Sequence, residues 1–343
     1  WSVTGVQTCA LPICSIDEVD KALSWYRRAR AFEPESEELF EAIDKLLVKE
    51  KRHADRVELM RSMLDYREGE GKLALLHSIA ELEETELDRH EDAIETYRAA
   101  LDVEPDDERS LDRLTVLYQK LERHRDLADH YQRRIDGTPS PEDQAPFRLA
   151  LARLHRDKLD DKNAAIQELE SIVTLVKGHA GAIADLEALQ HDEEHKARIV
   201  EILNPIYADL GEWRKLVDLT QDELELATDP SRRAEILKRR AELYEDRGGD
   251  KAAAFTALRE AFEVDPEDEE IRTNLERLGR ETKRYDALAA TLEQAVEKVE
   301  DEITRREVLG LLGRVYDKDL DDPRRALDTF EKLAAISPGE TEP

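Results

Sequence analysis

Residues 92–105 read DAIETYRAALDVEP. Ala93, Tyr97 and Ala100 are spaced by four and three, so they share one face of a helix, and Ile94 widens that face. Pro105 closes it: proline carries no N–H and pushes the preceding residue out of the α conformation, so the chain turns. The pattern recurs when Pro34, Pro105, Lys177, Pro266 and Pro338 are taken as reference points. Twelve residues before each stands alanine (Ala22, Ala93, Ala165, Ala254, Ala326), and eleven before stand Leu23, Ile94, Ile166, Phe255 and Leu327. Eight before are Tyr26, Tyr97, Leu169, Leu258 and Phe330; five before are Ala29, Ala100, Ile172, Ala261 and Leu333. Two before are Phe32, Val103, Leu175, Val264 and Ile336, which extend the same apolar stripe. An alanine in this place lets a neighbouring helix come close, and a bulkier side chain would overpack the crossing by about 1–3 kcal/mol.

Self-similarity at a fixed period is the signature of a repeat architecture. Small-residue, aromatic, small-residue and proline at these offsets resemble the second helix of the tetratricopeptide repeat. The helix before it fits as well. Leu76, Ile79 and Ala80 stand at the family's Trp, Leu and Gly positions in one copy, and Leu309, Leu312 and Gly313 do so in another, with Tyr316 at the tyrosine position. The loop between the paired helices is one residue longer than the family's. Acidic or hydroxyl caps open the helices: Asp250, and the pairs Asp322–Pro323, Ser140–Pro141 and Asp229–Pro230. A cap followed by proline at the first helical position is a helix-start signal.

Successive reference points lie 71, 72, 89 and 72 residues apart. Each interval is about two repeat lengths, so a weaker unit lies in between, marked by His53, His124, Trp213 and Tyr285. The distance from reference point to landmark is 19 residues in three copies and 36 in the one that begins at Lys177. The surplus predicts a short extra helix within Ala180–Gln190, a kink near Asn204 ahead of Pro205 and a local break in superhelical phase. The fold expected is all-α: a right-handed superhelical solenoid of antiparallel helix pairs, about eighteen helices in all, running from 15 to 338 as one array with a helix inserted around 180–195. The resemblance is to a long bacterial-type array. The ends read as open, with Val19, Leu23 and Tyr26 lacking a covering helix, so a longer parent and a truncated tail at 339–343 are expected.

Residues 3–13 read VTGVQTCALPI, which resembles a translated sequencing adapter, so residues 1–14 are expected to be foreign to the native protein. Both cysteines, Cys9 and Cys14, fall there. No disulfide framework or cysteine metal site is then expected, and the lack of cysteine suits cytoplasm and periplasm alike. The chain has 343 residues and a formal charge of −30, with 39% charged and 5% aromatic residues. Such an acidic chain repels phosphate backbones and anionic membrane surfaces, which excludes nucleic acid as the expected partner. No apolar run is long enough to span a bilayer. Part of the acidity is expected at helix starts, with Glu35, Glu37 and Glu38, then Asp106, Asp107 and Glu108, then Glu267 to Glu270 each opening a predicted helix, where it favours the helix dipole.

The sharpest chemical motif is His191-Asp192-Glu193-Glu194-His195, an H-x-x-E-H pattern that inverted zinc peptidases use. Hydrolysis by a zinc ion shared by His191 and His195 on one helix, with Glu194 as base, is a remote reading, because a further ligand and a sheet-bearing fold are not apparent. No phosphate-binding glycine loop is present, Gly248–Gly249 being a turn, and no cofactor is implied. His53 and His124 stand where Trp213 and Tyr285 stand in other copies, which marks a packing position.

The resemblance implies binding of a protein or peptide segment in the groove lined by first helices, not catalysis. One family mode clamps a C-terminal carboxylate with Lys, Asn and Arg. The asparagine position is taken here by Glu81, Arg153, Glu242 and Arg314, so that clamp is not expected. The groove-facing positions by register are His77, Glu81 and Glu84, then Arg153 and Arg156, then Lys238, Glu242 and Glu245, then Arg314 and Lys318. Their mixed signs suit an extended or helical segment, or simply a solvated face. A scaffold or adaptor is the first expectation, and the recruiting arm of a larger enzyme the alternative.

Overall fold

The computed structural model describes residues 16–336, with side chains from Val19 onward. The stretch read as foreign, Pro338 and the tail at 339–343 lie outside the described residues. The chain divides into two compact units that meet between Ala165 and Ile166. The first contains α1 (Ile16–Arg30), α2 (Glu37–Lys49), α3 (His53–Arg61), α4 (Gly69–Thr85), α5 (His90–Val103), α6 (Glu108–Lys120), α7 (His124–Gly137) and α8 (Pro141–Lys158). Helix α9 (Lys162–Leu175) begins in the first unit and runs into the second. The second continues with α10 (Ala180–Leu189), α11 (Lys196–Leu210), α12 (Trp213–Leu226), α13 (Pro230–Glu242), α14 (Lys251–Val264), α15 (Glu269–Glu281), α16 (Tyr285–Lys298), α17 (Glu302–Arg314) and α18 (Pro323–Ile336). The described residues are thus all-α, eighteen helices packed pairwise in sequence, with no strand among them.

The repeated alanine does the steric work that the sequence assigns to it. Ala93, Ala165, Ala254 and Ala326 are all buried. So are the small residues of the preceding helices, Ala80, Ala152, Ala241 and Gly313. A Cβ built on Gly313 would lie 2.6 Å from the Phe330 ring, so α17 and α18 touch there with no spare space. The stripe Ile94, Tyr97 and Ala100 is buried, and Ile94 and Tyr97 cluster in the first unit with Leu111, Leu114 and Leu117 of α6. Its counterpart in the second unit joins Phe255, Leu258 and Ala261 to Ile271, Leu275 and Leu278 of α15.

A left-handed residue ends the first helix of eight pairs. Asp88, Asp160, Gly249 and Asp321 each take a positive φ seventeen residues before a reference point. Lys51, Glu122, Gly211 and Lys283 do the same two residues before a landmark. The residue after the left-handed one donates its N–H back across six residues: Arg89 to Glu83, Asp161 to His155, Asp250 to Tyr244 and Asp322 to Tyr316, at 2.7–2.9 Å. After Lys51, Glu122, Gly211 and Lys283 the same N–H reaches back five residues, Arg52 to Leu47, Arg123 to Tyr118, Glu212 to Tyr207 and Arg284 to Gly279, which is the Schellman geometry; the six-residue span is one residue wider, and both satisfy carbonyls that the helix leaves open. The five-residue turns at Leu243–Arg247 and Val315–Asp319 are part of that wider span. The extra loop residue seen in the sequence is the one that this wider turn takes in, since the left-handed residue is common to both kinds of turn. Gly248 answers a different need, because a Cβ there would sit 2.9 Å from the Trp213 ring.

Two expectations are corrected. Val19 and Leu23 are buried, clustered with Phe40, Ile43, Leu47, Val57 and Met60, because the stripe of α1 faces the helices that follow it. Trp25 of α1 is exposed, and so is Phe32 in the turn that follows it, 88% accessible. The position two before the reference point is therefore not core: Phe32 and Leu175 are exposed, and Val103 and Val264 half-buried. That residue falls in the last turn, beyond the reach of the next helix. Between α9 and Trp213 stand two helices, α10 and α11, where α6 alone fills the interval from α5 to His124 and α15 alone that from α14 to Tyr285. Helix α11 continues through Pro205.

Candidate functional site

Helix α13 starts because Asp229 caps it, accepting from the Arg232 N–H at 2.9 Å, with Pro230 at the first position. That start puts Lys238, Glu242 and Glu245 on one face at offsets of four and three. Helix α15 is capped by Asp268, which accepts from the N–H groups of Glu270 and Ile271 at 2.8 and 3.0 Å. Lys238 reaches across to Asp268 at 3.3 Å and is paired with Glu270. Glu245 holds Arg277 through both carboxylate oxygens at 2.7 and 2.8 Å. Together with Glu242 and Asn274 these side chains line a pocket of about 190 Å³ between α13 and α15, floored by Ala241, Leu258 and Ile271.

The electrostatics follow from the pairing. Burial opposes ionisation of Asp268, but the Ile271 N–H and Lys238 outweigh it and hold its carboxyl below the usual range. The Glu245 carboxyl is lowered mainly by the hydrogen bond from Arg277. The Glu270 hydrogen bond raises Lys238. All are charged at neutral pH. Glu242 is exposed and has no partner among the described residues.

The other register positions are placed differently. On α4, His77 is buried, its Nε2 2.6 Å from Asp107 and 3.3 Å from the Ser110 hydroxyl. Asp107 in turn caps α6, accepting from the Ser110 N–H at 3.0 Å. Glu81 pairs with Arg109 at 2.9 Å, and Glu84 with Arg113. These three residues tie α4 to α6, two helices along. On α8, Arg156 is bound to Asp157 at 2.6 Å and Arg153 is exposed but engaged. Arg314, the last residue of α17, and Lys318, in the five-residue turn Val315–Asp319 that follows, are exposed with no partner among the described residues. The residues that complete the pocket on α15, Asn274 and Arg277, were not singled out in the sequence. They follow from the same register applied to the weaker unit.

The histidine motif lies in the turn between α10 and α11, so its two histidines do not share a helix face. His191 is exposed and stands apart. Asp192, Glu194 and His195 bring ligand atoms within 4.8 Å of one another. His195 is buried, its Nδ1 3.0 Å from Asp192, and its Nε2 has no partner. Asp192 also accepts from the Glu194 N–H at 3.1 Å, a local turn that opens α11. His53, His124, Trp213 and Tyr285 are each the first residue of their helix, α3, α7, α12 and α16.

Models of the tetratricopeptide repeat match residues 75–107 and 110–145. No curated protein matches the chain. Among solved structures, a tetratricopeptide repeat protein from Parabacteroides merdae is 15% identical, with 80% of this chain and 98% of that one covered and a TM-score of 0.32. Naa15/Naa10 bound to HypK gives 14% identity over 94% of this chain and 56% of that one, with a TM-score of 0.34. The TPR2AB domain of yeast Sti1, in complex with an HSP90 peptide, gives 15% identity, coverage of 72% and 99%, and a TM-score of 0.27. At these values none of the three bears on partner or mechanism. No helix among the described residues is long and apolar enough to cross a membrane. Over residues 75–107 and 110–145 the chain is similar to the tetratricopeptide repeat, within an all-α array of eighteen helices packed pairwise in sequence.

Proposed function

We propose that this chain is a non-catalytic scaffold or adaptor that holds a peptide or extended partner segment against its first-helix surface. One observation carries the reading: Lys238, Glu242 and Glu245, picked out by repeat register, line a single concavity with Asn274 and Arg277. The fixed ion pairs Lys238–Asp268 and Glu245–Arg277 hold its walls, while Glu242 is left to meet a ligand. Arg314 at the end of α17 and Lys318 in the turn after it offer free cations in the same unit. A mixed-charge wall of this kind fixes the register of a bound segment more than it adds affinity. Tetratricopeptide repeats in general are protein-interaction modules, and the function proposed is theirs.

The test is capture of partner proteins by the immobilised chain. Glu242→Lys with Arg314→Glu is expected to reduce recovery about tenfold, the loss of roughly one charged hydrogen bond. Arg153→Glu with Arg156→Glu tests the first unit in the same way. Undiminished recovery by both double variants, each shown to be folded, would contradict the reading.

A further inference from the structure

A larger concavity of the second unit than the pocket just described is the cleft between α9 and α11, about 940 Å³, at the upper end of the range of small-ligand and peptide-anchor pockets. The two helices run side by side in the same direction, because Glu170 pairs with Arg198 at 2.8 Å and Lys177 with Asp209 at 2.9 Å. These pairs close the two ends. At 1.5 Å per residue, the cleft between them is about 10 Å long on α9 and about 16 Å on α11, or two to three helical turns. Val173 and Ile202 form its buried floor, and Pro205, Ile206 and Leu210 give it an accessible apolar wall, Leu210 being 47% exposed.

Its charge is uneven. Both cations of the lining, Lys177 and Arg198, are already neutralised by Asp209 and Glu170, whereas the exposed Glu201 carboxylate has no partner among the described residues. Pro205 adds a second acceptor at the same residue. Having no N–H, it cannot make the hydrogen bond that would close on the Glu201 carbonyl four residues back. One residue of the wall thus offers an uncompensated carboxylate and a main-chain carbonyl without its helical donor, beside an apolar surface, on a chain whose net charge is −30. The complementary ligand carries a cation with several N–H donors next to apolar side chains.

We infer that the cleft between α9 and α11 is a docking site for a short amphipathic helix of another protein, whose apolar side chains rest on Pro205, Ile206 and Leu210 and whose Lys or Arg is received by Glu201. A helix suits the site because two parallel helices leave a groove that a third fills along its length. The cleft uses none of the residues on which the scaffold reading stands, so either can fail alone.

The probe is a displayed library of random segments of about 12 residues, two to three helical turns with flanks. It is selected on the full chain, and the selected peptides are measured by fluorescence anisotropy. Enriched peptides are expected to combine a helical apolar stripe with a Lys or Arg. Their affinity should fall about tenfold or more for Glu201→Lys, as for loss of a charge-assisted hydrogen bond, and as steeply for Ile206→Glu. Pro205→Ala leaves every charge in place and restores the helical donor. It should weaken binding several-fold while the helix becomes no less stable, which a merely structural proline would not do. Glu242→Lys should change nothing. Selected peptides that are acidic or non-helical, binding that survives both Glu201→Lys and Ile206→Glu, or a self-association of the chain that Ile206→Glu abolishes would each overturn the proposal.

Discussion

Lys51, Glu122 and Lys283 each hold a left-handed backbone at a helix end, with φ of 53–55°. A side chain with a Cβ is strained there, while glycine is not. Gly211 and Gly249 occupy the equivalent place in other copies, so the fold accepts glycine at this turn. Lys51→Gly, Glu122→Gly and Lys283→Gly are each expected to raise the unfolding free energy by about 0.5–1 kcal/mol, read from urea midpoints. Gly249→Ala should lower it by a similar amount. Asp88, Asp160 and Asp321 gain less from the change, since aspartate tolerates this region better. A second residue sets a pH dependence. His130 is buried in the first unit, its Nε2–H donating to the Leu111 carbonyl at 2.9 Å. Burial pushes its pKa down from 6.5 to about 4, with Arg133 and Arg134 nearby acting in the same direction. The folded pKa lies below the unfolded one, so protons favour the unfolded chain. Stability is full above pH 6.5 and falls as pH drops toward 4, by up to about 3 kcal/mol. The lowered carboxyls of Asp107 and Asp126 act only below their ordinary range near 3.8, so the windows separate. His130→Gln should flatten the slope between pH 6.5 and 4 in a denaturation series.

Between elements, the controlling contact is the alanine crossing. Ala93 lies at the junction of α4 and α5 with no accessible surface. Ala93→Leu is expected to cost about 1–3 kcal/mol by overpacking, seen as a lower melting temperature without loss of helical circular dichroism. This crossing was legible in the sequence, because small residues at fixed offsets have one steric explanation and five copies repeat it. So were the helix starts at Ser140, Asp229 and Asp250, each of which caps with its side chain. The left-handed turns were not legible, because Lys51, Glu122 and Lys283 carry no glycine or asparagine signal and only tertiary packing holds them there. The exposure of Phe32 was missed for a related reason: a helical stripe says which face is apolar, not where the neighbouring helix stops. Of the site, register alone found Lys238, Glu242 and Glu245. It could not tell that Glu81 and Glu84 are spent in ion pairs with α6, since such pairs join helices 28–29 residues apart along the chain.

At the scale of the whole molecule, charge is the dominant quantity. Several ion pairs run from one helix to the one two along: Arg27–Asp55, Arg98–Asp126, Lys215–Glu187 and Arg272–Glu307 among them. Most are at least partly exposed, and such pairs contribute little each. The excess of 82 acidic over 52 basic side chains repels itself throughout the chain. Salt screens both, and the self-repulsion is the larger, so about 0.5 M NaCl should raise the melting temperature rather than lower it. Beneath the charge lies the central claim, that helices pair through a seam of small buried side chains. Its direct measure is the reactivity of single cysteines placed at Ala93, Ala254 and, as an exposed reference, Thr174, in a chain with Cys9 and Cys14 changed to serine. Under native conditions the thiols at 93 and 254 should react with a maleimide about a hundredfold or more slowly than the one at 174, waiting on local opening. Prompt labelling of both would mean that these alanines face water and that the paired-helix array is wrong.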